Sequence, residues 1–140
     1  MNKDFEVIDH TADIGIRAYG VDLSRAFVNA ARGMFSLITD IDQVKEVLCR
    51  EANATAADKE TLLAEWLNEL IFLFDTELVL FSRFYIESLS DNEIRSRCWG
   101  EKIDKSRHEL KRGIKSATYH MLKVEQKTDY LYQVQVLFDI

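Results

Sequence analysis

The 140-residue chain has no proline and only five glycines. That scarcity leaves no proline-rich or glycine-rich low-complexity segment, and nothing in the composition indicates disorder. Its two cysteines, Cys49 and Cys98, form no CxxC pair and have no histidine at zinc-finger distance. They are therefore expected to be reduced, buried thiols, with no zinc or dithiol redox role. The longest apolar runs, such as Leu70 to Phe74, fall far short of the roughly 20 residues of a membrane span, so no membrane partner is expected. The opening MNKDFEVID lacks the apolar stretch of a signal peptide, and a cytoplasmic location is expected. Positive charge is also short: 18 Lys and Arg face 24 Asp and Glu, for a net charge of −6. Phosphate neutralisation needs a basic surface, so direct nucleic-acid binding is not expected, and any link to RNA would run through a partner.

What remains is an ordinary globular composition, 47% hydrophobic and 30% charged, of a length that suits a single domain over residues 1–140. Apolar alternation predicts a strand at Phe5, Val7 and Ile8 and another at Ile14, Ile16 and Ala18, joined by DHTAD. Asp22 stands as an N-cap, and Leu23, Ala26, Phe27, Ala30, Met34, Leu37 and Ile38 follow at helical spacing, with Gly33 a mild weakness. A strand is expected over VKEVLCREANA. Asp58 caps a second helix, in which Leu62, Trp66, Leu70 and Phe74 recur every four residues as a core stripe, with Glu60, Glu65, Asn68 and Glu69 on or near the wet side. The period then changes to two: FSRFYIESL and EIRSRCWGEK flank the turn SDN as a hairpin, IDKSRHELKRG reads as a charged loop, and IKSATYHMLKV with YLYQVQVLFDI closes the chain as a second hairpin. The expected class is α+β, antiparallel strands with two amphipathic helices packed on one face.

Pairing Gln126 with Asp129 across a two-residue turn sets Ala117, Tyr119 and Met121 opposite Phe138, Val136 and Val134, apolar against apolar. The same register puts Ser116 opposite Asp139 and Lys115 opposite Ile140. A cation thus lies beside Asp139 and the terminal carboxylate.

DHTADIG collects Asp9, His10, Thr11 and Asp13 in a short turn, and Gly15 permits close backbone approach. Such an oxygen-rich turn suits a hard cation, but on this segment alone an Asx-type turn that satisfies its own backbone is the favoured reading. Asp40, Asp42 and Glu51 imitate part of an EF-hand loop, yet Lys45 stands where that loop needs glycine, and the motif is rejected. No nucleophile elbow, P-loop or HExxH pattern is present. His10, His108 and His120 are far apart and read singly as hydrogen-bonded structural histidines. Lys111, Arg112 and Lys115 near Arg107 form a basic cluster, either a solvated loop or a surface for an acidic or phosphate-bearing partner.

DHTADIG, EWLNELIFLFDTE, GEKIDKSRHELKRGIKSATYH and the closing FDI, in this order and over nearly the whole chain, resemble the archease family. Ser116 departs from the alanine expected there. The resemblance implies an archease-like fold and a non-catalytic accessory protein of tRNA splicing. Such a protein activates an RtcB-type RNA ligase by promoting guanylylation of its active-site histidine, sustains multiple turnover, and can broaden its nucleotide use. An alternative is a chaperone-like modulator of a tRNA-modifying enzyme such as a methyltransferase; direct hydrolysis by Asp13 and Asp139 lacks a recognisable base or nucleophile. The resemblance further implies a divalent cation, commonly calcium, held by Asp13, Asp139 and the main-chain carboxylate of Ile140. Lys115, Asp13 and His10 are the residues it points to for activating the partner.

Overall fold

The computed structural model describes residues 3–9 and 13–140. Phe5–Asp9 forms β1 and Ile14–Gly20 forms β2, paired antiparallel with Val7 opposite Ile16. Asp22 is extended, and its carboxylate accepts the Arg25 N–H at 2.7 Å, starting α1 over Leu23–Ile38 as its spacing predicts. The weakness expected of Gly33 has a packing reason. A Cβ at that position would lie 2.9 Å from Cγ2 of Ile16, so glycine lets the helix settle closely on β2.

After a single 3₁₀ turn at Ile41–Gln43, the next strand is β3, Leu48–Thr55. It begins later than the alternation suggested, because the Lys45 N–H is taken by the Glu101 carboxylate at 2.7 Å. Asp58 caps α2, Lys59–Glu77, by accepting the Thr61 N–H at 2.7 Å. The helix stops at Leu78, whose φ of 57° is left-handed and cannot continue it. The predicted hairpin follows as β4, Val79–Leu89, and β5, Glu93–Lys102, and β3 pairs on the other edge of β5.

The closing segment differs from a simple hairpin. Ser116–Ala117 forms β6, Lys123–Thr128 forms β7 and Leu131–Asp139 forms β8. β6 and β7 both lie along the edge of β8 that β2 leaves open, and β1 is outermost. From Lys123 opposite Gln135 to Ala117 opposite Phe138, one side advances six residues and the other three. Three residues are therefore looped out, at the turn where Met121 has a φ of 55°. Tyr119 and Met121 are exposed rather than facing Val136 and Val134, whose partner rung carries Val124 instead. The expected pairing survives only at Ser116 and Ala117.

The helices cover one face of each of these two sheets. α1 packs on β2 and β8 and also reaches β4, while α2 packs on β3 and β6. Their shared core holds Phe35 against Phe74, Phe81 and Phe84, and Trp66 against Phe27 and Phe84. The Trp66 indole N–H donates to Ser96 Oγ at 2.9 Å, so the largest core side chain leaves no polar atom unpaired. No helix among the described residues is long and apolar enough to cross a membrane.

Candidate functional site

Along the larger sheet, Asp9, Ile14, Phe138 and Ala117 form one rung across four strands. Ile14, Phe138 and Ala117 point to the core. One residue further along, β8 presents Asp139, paired with Ser116 of β6, while Asp13 directly precedes Ile14, the partner of Phe138. Side chains alternate across a strand, so this second rung faces away from the helices. Asp139 and Ile140 are exposed, and Ser116 Oγ donates to Asp139 Oδ2 at 3.2 Å. The Lys115 N–H donates to the Asp139 carbonyl at 2.8 Å, which fixes Lys115 beside the chain end.

Gly15 explains how the outer face closes next to this rung. A Cβ there would stand 2.5 Å from Cδ2 of Leu137, so only glycine lets Leu137 fold over β2 and become buried. Beneath the other side of Ile140 lies a groove of about 590 Å³ lined by Phe74, Asp75, Arg112, Gly113, Ile114, Lys115 and Ile140.

The geometry brings the start of β2, the end of β8 and the segment from Lys115 to Ala117 to one end of the larger sheet. A profile of the Archease protein family (MTH1598/TM1083) matches residues 5–140. The protein archease of Sulfurisphaera tokodaii is 42% identical over 137 residues, covering 97% of this chain and 98% of the relative. The chain belongs to the archease family. An archease of Methanosarcina mazei is 38% identical over 142 residues, 99% of this chain and 97% of that one. The solution structure of Methanobacterium thermoautotrophicum protein 1598 has a TM-score of 0.81 at 35% identity, covering 98% of this chain and 99% of that chain. A Thermotoga maritima crystal structure, titled an archease and possible chaperone, shares the fold at a TM-score of 0.65 and 22% identity, covering 100% of this chain and 98% of that chain. Archease membership and the α+β class are thereby established for this chain.

In this archease-family chain, Asp13, Asp139, Ile140 and Lys115 come to one end of the larger sheet, while His10 lies outside the described residues. Among the described residues no three His, Cys, Asp or Glu side chains converge to form a metal cage. Asp13 and Asp139 carry hard carboxylate oxygens, a chemistry that fits calcium or magnesium better than a soft metal.

Sequence reasoning missed what holds the irregular segment in place between β5 and β6. Glu101, nearly buried, accepts hydrogen bonds from the Lys45 N–H at 2.7 Å, from the Arg107 guanidinium and from His108 Nε2 at 3.0 Å. The Asp104 N–H donates to His108 Nδ1 at 2.9 Å, so the proton of neutral His108 sits on Nε2, facing Glu101. Burial works against the Glu101 charge, but these donors outweigh it and hold the carboxyl below its usual range. Further along, the Thr39 hydroxyl donates to the Glu109 carbonyl and the Lys111 N–H to the Ile38 carbonyl, each at 2.7 Å. Finally Asn68, expected on the wet side of its helix, brackets Ala117: its Oδ1 accepts the Ala117 N–H at 2.7 Å and its Nδ2 donates to the Ala117 carbonyl at 3.2 Å. A residue type alone signals none of these long-range contacts. Of the two thiols, Cys98 is buried as expected, but Cys49 is exposed on the uncovered face of β3.

Proposed function

We propose that this protein is a non-catalytic activator of an RtcB-type RNA ligase, promoting guanylylation of the ligase and its multiple turnover. The observation that supports the reading best is the pairing of Ile14 with Phe138, which brings Asp13 and Asp139, the residues next to each, to one end of the larger sheet, with the Lys115 main chain bonded to Asp139. Asp13, Asp139 and the main-chain carboxylate of Ile140 would hold a divalent cation, calcium or a similar hard ion. Bound there, it would supply positive charge that offsets the repulsion among these groups. The chain's own residues present the rung. β8 fixes the height of Asp139, Ser116 orients one carboxylate oxygen, and Lys115 offers a cation at the same edge for docking on the partner. Positioning of that kind accelerates a nucleotidyl transfer without the helper entering the chemistry.

The test is ligase turnover under limiting ligase, with and without the protein, scoring the guanylylated ligase directly. Multiple turnover is expected only on addition. Asp13→Ala should abolish the stimulation while the circular-dichroism spectrum of the folded chain is retained. A Gly-Ser extension after Ile140 converts its carboxylate to a neutral amide and should weaken cation binding and stimulation, whereas the same extension before Met1 should not. Stimulation that survives both changes would overturn the assignment of the rung.

A further inference from the structure

The chain is acidic overall, yet residues 103–115 carry five Lys and Arg against Asp104 and Glu109. Arg107 is committed to Glu101 and Asp104. Among the described residues, Lys105, Lys111, Arg112 and Lys115 join no ion pair. Two of them, Arg112 and Lys115, line the groove beside Ile140, together with the apolar Phe74 and Ile114. Unneutralised cations at a concave wall focus positive potential and attract an anion. Asp75 and Ile140 line the same groove, and the Asp75 carboxylate opposes a purely anionic ligand.

That mixed lining selects the ligand. A long polyanion such as an RNA strand would meet Asp75 and a chain of net charge −6. A nucleotide carried with a divalent cation meets a better match. Its phosphates face Arg112, whose planar guanidinium suits phosphate oxygens, and Lys115. Its cation faces the Asp75 carboxylate, and its base meets the half-buried Phe74 ring. Small hard cations such as magnesium usually take one or two protein carboxylates plus phosphate oxygens, not a complete protein cage. The groove volume of about 590 Å³ is in the range of small-molecule sites. We infer that the groove formed by Phe74, Arg112, Ile114, Lys115 and Ile140 binds a nucleoside triphosphate as its divalent-cation complex. The inference deepens the function proposed above by giving the same end of the molecule a ligand, and it rests on that reading only for the cation.

The experiment is a nitrogen-15 amide-shift titration of the full chain, without ligase, using four probes: GTP with magnesium, pyrophosphate with magnesium, guanosine, and a short single-stranded RNA. GTP and pyrophosphate should shift the amides of Phe74, Arg112 to Lys115 and Ile140 saturably, pyrophosphate more weakly, and guanosine should not. Arg112→Ala and Lys115→Ala, both at exposed side chains, should each weaken GTP by about tenfold, the loss of one charge-assisted contact. Lys105→Ala, outside the groove, should leave it unchanged. No saturable shift, or equal weakening by all three variants, would overturn the site. RNA binding more tightly than GTP would overturn the nucleotide. Because ligase is absent, failure here leaves ligase stimulation standing, and a chain that binds GTP without stimulating ligase fails only the earlier reading.

Discussion

Truncating Asn68 should separate the support of the candidate site from the site itself. β6 is only two residues long, and β8 covers only one of its edges. On the other edge the Asn68 amide acts as a substitute strand, bonding both polar groups of Ala117, a residue 5% exposed. Asn68→Ala removes both bonds and leaves a buried N–H and a buried carbonyl without partners, each worth about 1–3 kcal/mol. Asn68 is itself only half-buried, so water reaches part of the gap, and a loss of about 3 kcal/mol is expected for the pair. For a chain of this size that lowers the melting temperature by roughly 10 °C. Asn68→Asp keeps the acceptor for the Ala117 N–H and loses the donor, so it should fall between wild type and alanine. Thermal unfolding followed by circular dichroism gives the stabilities, and hydrogen exchange at the Ala117 amide locates the effect. An alanine variant that melts within about 1 °C of wild type, where a lost buried pair demands far more, would refute the account of β6.

Two further predictions concern buried groups. Glu101 is held below the ordinary carboxylate value of 4.5, so its contribution is complete above that pH and is lost as pH falls through the lower folded value. Glu101→Gln should cost about 3 kcal/mol at neutral pH and progressively less under acid, as read from urea midpoints; a difference constant with pH would show that the charge is not what matters. Burial pushes the Cys98 thiol up to about 12, while Cys49 is exposed. A chromogenic disulfide reagent should therefore titrate Cys49 alone in the native protein and both thiols in denaturant, and prompt native reaction of Cys98 would contradict its packing.

The starts of both helices were readable because their signals are local. Asp22 and Asp58 each accept the N–H three residues on, and each precedes an uninterrupted apolar stripe. The β4–β5 hairpin was readable for the same reason, since Ser90, Asp91 and Asn92 mark its turn. The division into two sheets was not, because alternation says which residues face inward and nothing about which strand they pair with. The closing segment shows the limit most clearly. Register drawn from the tip of the hairpin was correct at Ser116 and Ala117 only because the displaced turn at the tip and the loop at Met121 offset each other. Asn68 was misread because helical spacing at that position records a polar residue and cannot record the backbone of β6 that it serves. Leu137 and Gln135 were similarly hidden: they are polar-face positions of β8 by alternation, yet both are buried, one over Gly15 and the other by bonds to Arg17 and the Met121 carbonyl.

The residues of the candidate rung and the residues that hold it belong to different energetic classes, and variants should divide accordingly. Asp13 and Asp139 are no part of the hydrophobic core, so replacing either leaves that core untouched. Asn68, Gly15 and Glu101 make contacts that the fold cannot relax around: paired backbone groups, a close approach to Leu137, and a nearly buried carboxylate with three donors. Their loss lowers stability first, and it reaches the rung only by loosening β6, β2 or the segment that delivers Lys115. A partner-activating surface therefore fails in two distinguishable ways. Charge variants on the rung leave melting unchanged, whereas support variants lower melting and site competence together.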